Sequence, residues 1–128
     1  MSPSRELLQS LRSAFYPRVS SKLAARRGKK IILVPRRDIL YVLAEDRLGY
    51  FCTANDRFTT DRTVQQIEEM LPPGEFFRIN RGTVVNLSAV EEMYPWMTSG
   101  AWRVRLKNGV ELDVSRDRVP DLRALVLL

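Results

Sequence analysis

The chain has no histidine and a single cysteine, Cys52. Without histidine it lacks the commonest general base and the commonest metal ligand. One cysteine forms neither an internal disulfide nor a thiolate cluster, and Cys52, set between Phe51 and Thr53, reads as a small core residue. No apolar run approaches the roughly 18 to 20 residues that a membrane-spanning helix needs. The opening Met1-Ser2-Pro3-Ser4-Arg5-Glu6 has no apolar core of a secretory signal, so a cytoplasmic location with no membrane partner is expected. A glycine-rich phosphate loop is missing, as is any Ser/His/Asp or Cys/His set. The adjacent acids Glu45-Asp46, Glu68-Glu69 and Glu91-Glu92 are ordinary surface pairs. Neither catalysis nor a metal nor a cofactor is expected.

What remains is a basic, strand-rich chain. Its 128 residues fit one domain with a short appendage, and 45% hydrophobic with 28% charged residues is a globular composition. The net charge of +6 favours a polyanionic partner. That charge is uneven: residues 1 to 30 carry eight basic side chains against Glu6 alone, and the rest is nearly balanced. A polyanion-binding face on the main body therefore has to come from local clustering.

Leu7, Leu8, Leu11, Ala14 and Phe15 recur at helical spacing, which predicts an amphipathic linker helix over residues 4 to 15, ended by Pro17. Residues 20 to 30 read as a solvated basic arm broken by Gly28, and the main domain is expected over residues 25 to 128, after a linker over 1 to 24. Strands follow at Ile31–Val34, Ile39–Ala44, Tyr50–Thr53 and Arg57–Thr60. Thr63 caps a helix whose apolar stripe is Val64, Ile67, Met70 and Leu71, and whose other face carries Glu68 and Glu69. An acidic helix is a poor groove reader. A strand within Ser88–Tyr94, a loop over residues 95 to 100 and a hairpin about Asn108-Gly109, read as a type I′ turn, come next. Ser115 then caps a last helix, which ends in the apolar tail Leu125-Val126-Leu127-Leu128.

The most informative stretch is Phe76-Phe77-Arg78-Ile79-Asn80-Arg81-Gly82-Thr83-Val84-Val85-Asn86-Leu87. Two apolar strands flank a donor-rich corner that suits a phosphate or a base edge. Together with Lys107-Asn108-Gly109 and Val114-Ser115-Arg116, it resembles the LytTR DNA-binding domain, the output half of many bacterial response regulators. The resemblance implies a mainly β fold of elongated antiparallel sheets with one short central helix. It also implies sequence-specific binding of double-stranded DNA for transcription regulation within a two-component system, on repeated half-sites, with a homodimer on DNA and an upstream receiver or sensor domain. Asn80-Arg81-Gly82 stands where the family usually shows His-Arg-Ser, which makes Asn80 and Arg81 candidate DNA contacts. By position, Arg47 in the loop at residues 45 to 49, and Arg116 and Arg118 around Asp117, are the others, with Lys107 a candidate for phosphate. Asn86 fits a structural role at a strand end, and for Arg78, in strand register, a structural role and a DNA contact both stay open. Two rivals stay open. An RNA-binding β module would expose Phe51, Phe58 and Trp102 for stacking, and a protein-interaction or signalling module would use the N-terminal helix and the C-terminal leucines.

Overall fold

A computed structural model describes residues 21–128, so the helix expected over residues 4 to 15 lies outside the described residues. Ten strands form two antiparallel sheets. In chain order they are β1 (Lys22–Arg27), β2 (Lys30–Pro35), β3 (Tyr41–Glu45), β4 (Leu48–Cys52), β5 (Arg57–Thr60), β6 (Phe76–Asn80), β7 (Thr83–Asn86), β8 (Val90–Pro95), β9 (Trp102–Leu106) and β10 (Glu111–Val114). The first seven make one sheet in the order β2-β1-β5-β4-β3-β7-β6, and the last three make a meander. Among the described residues there are also two short α-helices, α1 (Val64–Met70) and α2 (Val119–Leu125). The mainly β architecture expected from the resemblance is what forms.

The β6–β7 ribbon is buried on both faces. Strand alternation sends Phe76 and Val84 into one apolar cluster with Val42, Phe51, Val64 and Ile67. It sends Phe77, Ile79 and Val85 into a second cluster with Val104, Leu106, Val114 and Leu122. Every residue of Thr83-Val84-Val85-Asn86 is buried as a result. Asn86 survives there because its amide donates to the Ile39 carbonyl at 3.0 Å and its oxygen accepts from the Ser88 N–H at 3.0 Å. The helix α1 carries a capping box, with the Thr63 hydroxyl accepting from the Gln66 N–H at 3.1 Å and the Gln66 side chain accepting from the Thr63 N–H at 3.0 Å.

Three expectations need correction. Where a basic arm is expected, the described residues 22 to 30 form no arm: Lys22–Arg27 is β1, with Leu23 and Ala25 in the core at 2% and 1% exposure, and Lys30 opens β2. Alternation of small apolar and basic residues concealed a strand whose charged side faces water. Gly28, at φ +62°, opens its turn into β2. The Asn108-Gly109 turn is not type I′, since only Gly109 has positive φ (+86°), and its N–H donates to the Leu106 carbonyl at 2.9 Å. Ser115 caps no helix. A 3-10 turn over Arg116–Arg118 intervenes before α2, which starts with Pro120 in its first turn.

Two measurements check this packing. Leu23→Ala should cost about 2–5 kcal/mol in urea unfolding, whereas an arm residue would cost nothing. Tyr41 faces Cys52 across the β3–β4 pair; burial, then the thiol beside it, pushes the phenol up to about 12, and burial also raises the thiol. Both groups therefore stay neutral in the fold at pH values where the unfolded chain loses their protons. Their stabilising contribution is complete below the ordinary thiol and phenol range and should fade as pH climbs through about 10 to 12. Tyr41→Phe should flatten that alkaline loss in pH-dependent denaturant melts.

Candidate nucleic-acid interface

The first candidate loop is a two-residue hairpin joining Glu45 to its partner Leu48. Its central residues Asp46 and Arg47 both have positive φ, +51° and +67°, as a type I′ turn requires. Aspartate tolerates that conformation, whereas arginine there is strained. The Arg47 side chain is exposed and has no partner among the described residues, while the neighbouring Glu45 is taken by Arg57.

The second loop, Asn80 to Thr83, is fixed on both sides. The Asn80 side-chain oxygen accepts from the Gly82 N–H at 2.9 Å, and its amide donates to the Asp113 carbonyl at 2.7 Å. The Gly82 carbonyl accepts from the Ala44 N–H at 2.8 Å, which brings the loop beside the Arg47 hairpin. Arg81 projects from the exposed tip, and its guanidinium has no partner among the described residues. Asn80 thus spends both ends of its amide on shaping the corner.

The third loop follows β10. The Ser115 N–H donates to the Ile79 carbonyl at 2.9 Å, which sets the Arg116–Arg118 turn against the end of β6, next to Arg81. Arg116 is exposed, and its stem crosses Gly100: a Cβ added there would lie 2.9 Å from the Arg116 Cδ, and Gly100 sits at φ +87°. Arg118 points inward instead. Its Nε donates to the Arg78 carbonyl at 2.9 Å, its Nη1 meets Asp121 at 3.0 Å, and its guanidinium covers the Phe77 ring at 4.4 Å. Lys107 lies at the opposite end of β9 from Trp102 and the Arg116 turn, its N–H bonded to the Ala89 carbonyl.

Of the six candidates, Arg47, Arg81 and Arg116 thus stand exposed on three turns that main-chain hydrogen bonds tie to one another, Asn80 and Arg118 are bonded within those turns, and Lys107 is at the other end of β9. Other arginines are occupied: Arg26, Arg57, Arg103 and Arg105 pair with acids, and Arg123 covers Trp102. Sequence reading missed Arg62. It is exposed, its N–H donates to the Thr60 hydroxyl at 3.2 Å while its guanidinium has no partner among the described residues, and its carbonyl sits 2.6 Å from where a Gly49 Cβ would be, in the strand that leaves the Arg47 hairpin. The available signal was its place between the end of β5 and the Thr63 cap. Among the described residues no group of acids, cysteine or histidine could hold a metal, and no helix is long and apolar enough to cross a membrane.

A family model described as the LytTr DNA-binding domain matches residues 29–126. The chain belongs to the LytTR family. LytTR domains bind DNA, so the resemblance carried by the Phe76–Leu87 stretch holds. Relatives include the sensory transduction protein LytT of Bacillus subtilis, 33% identical over 105 residues that make up 82% of this chain and 43% of LytT. The transcriptional regulatory protein YpdB of Escherichia coli K12 is 31% identical over 103 residues, 80% of this chain and 42% of YpdB. The chain spans about two-fifths of the length of these relatives. The solved LytTr DNA-binding domain of a Bacillus cereus protein superposes with a TM-score of 0.78 at 25% identity, covering 85% of this chain and 99% of that one.

Within this LytTR domain, Gly100→Ala tests how the Arg116 loop is held. The left-handed backbone and the contact with the Arg116 stem predict a loss of about 1–2 kcal/mol in denaturant unfolding. The Nε–Hε resonance of Arg116 should move while those of Arg47 and Arg81 stay in place.

Proposed function

We propose that this chain binds double-stranded DNA sequence-specifically and thereby regulates transcription, as the output domain of a two-component response regulator. Arg47, Arg81 and Arg116 enter the major groove from three neighbouring turns, and Arg62 meets the phosphate beside Arg47. The observation that carries this reading is the grouping of three exposed arginines without ion-pair partners, in a domain where most other arginines have one. A guanidinium fork suits the O6 and N7 edge of guanine, and it does so best when no carboxylate competes for it. Asn80 and Arg118 hold the turns in place, and Lys107, at the other end of β9, takes no part in that grouping.

One small module reads few bases, so operator-level selectivity calls for two copies on repeated half-sites. The longer relatives support an upstream receiver or sensor region as partner. The RNA reading loses its support: Phe51 is 1% exposed, while Phe58 and Trp102 are half-buried and covered by Arg27 and Arg123.

Selection of random duplexes on the purified protein should return a guanine-containing repeat. On that duplex, Arg81→Ala should cost about 1–3 kcal/mol by fluorescence anisotropy and relax preference at one base pair. Unchanged affinity and preference would take Arg81 out of the interface.

A further inference from the structure

Arg78 lies in β6 on the face toward α1, between the helix and the Arg81 corner. Its Nη2 donates to the Arg81 carbonyl, and its Nη1 lies 3.8 Å from Glu68 of α1. Its own carbonyl accepts from the Arg118 Nε. Its Nε is buried with no hydrogen-bond partner among the described residues. Leaving a charged donor unsatisfied is costly, so the guanidinium is held where it stands by what its other nitrogens do. The same residues border an open cleft of about 490 Å³ that also reaches Asn80, Ser115 and Asp117.

The bonds around the corner leave its main chain with little freedom. The Arg81 carbonyl goes to Arg78, the Gly82 carbonyl to Ala44 and the Gly82 N–H to Asn80. The Arg81 side chain itself is exposed and has no partner among the described residues. A reading residue presented on a fixed turn loses less freedom on binding, and that saving appears as affinity and as sharper base choice.

We propose that Arg78 is a positioning residue for Arg81: spanning Glu68 and the Arg81 carbonyl, it fixes the turn that presents the reading guanidinium and touches no DNA itself. The proposal rests on Arg81 reading a base, as set out above. Lysine keeps the charge at position 78 but cannot place two nitrogens at once, so a positioning role and a charge role part company there. Glu68→Gln removes only the helix end of the span and serves as the milder variant.

The test compares Arg78→Lys, Arg78→Met, Glu68→Gln, Arg81→Ala and the Arg78→Met/Arg81→Ala double variant. It measures anisotropy on single-base-substituted duplexes, salt titration, and amide exchange of Gly82 in the DNA-free protein. Arg78→Lys and Arg78→Met should each weaken the selected duplex by about ten-fold. Both should relax the same base pair as Arg81→Ala and leave the slope of binding against salt unchanged. The double variant should fall little below Arg81→Ala, because the two act as one unit. Gly82 exchange should rise in both Arg78 variants, and less in Glu68→Gln. Full affinity in Arg78→Lys beside a salt slope reduced by about one in Arg78→Met would show a phosphate contact and overturn the proposal. So would additive losses, or unchanged exchange at Gly82. If Arg81→Ala leaves base preference intact, it is the reading role of Arg81 that fails, and the exchange of Gly82 still decides whether Arg78 holds the turn.

Discussion

Burial of the β6–β7 ribbon on both faces is the constraint from which the rest of the molecule follows. Because Phe76 and Val84 face α1 while Phe77, Ile79 and Val85 face the small sheet, two hydrophobic clusters share one pair of strands. At about 25 cal/mol per Å² of apolar surface, each of these side chains contributes on the order of 1.5–3 kcal/mol. The ribbon cannot tilt without opening one cluster or the other. Its end is therefore a rigid place, and the Asn80 to Thr83 corner sits on that end.

Rigidity spreads from there through hydrogen bonds to main-chain groups. Asn80 reaches β10, Ser115 reaches Ile79, Ala44 reaches Gly82, and Arg118 reaches Arg78. These four contacts draw the ends of β3, β6 and β10 together, so that loops far apart in the chain emerge side by side. Domains that read DNA with a helix place successive contacts on one element. Here Arg47, Arg81 and Arg116, the proposed contacts, each have their own turn, and the spacing between those turns is set by strand pairing.

Charge is distributed by the same logic. The bulk excess of basic residues says little, because most arginines of the folded body are neutralised by a neighbouring acid or laid over an aromatic ring. What matters is which arginines lack such a neighbour. Asp117 lies beside both Arg116 and Arg118 in sequence, yet Arg118 takes Asp121, the Phe77 ring and a carbonyl, whereas Arg116 runs across Gly100 and stays open. Two arginines two positions apart have opposite fates because a 3-10 turn points them in different directions.

Much of the fold could be read from the residues. Two-residue alternation marked most strands, and the Thr63 cap with its apolar stripe marked α1. The motif Phe-x-Arg-Ile-Asn-Arg-Gly-x-Val-Val-Asn-Leu marked the family, and Arg47, Arg81 and Arg116 stood out as candidates. Hydrophobic period and turn chemistry are local properties, and a local property survives in the sequence. Only the tertiary structure decided that Leu23 and Ala25 are core, that the type I′ turn is Asp46-Arg47 and that Asn108-Gly109 is not one. It alone separated Arg116 from Arg118, set Lys107 apart and brought Arg62 forward. Each of those outcomes turns on which groups meet across sheets, and a partner 30 or 40 residues away, such as Asp113 for Asn80 or Arg78 for Arg118, leaves no trace in local pattern.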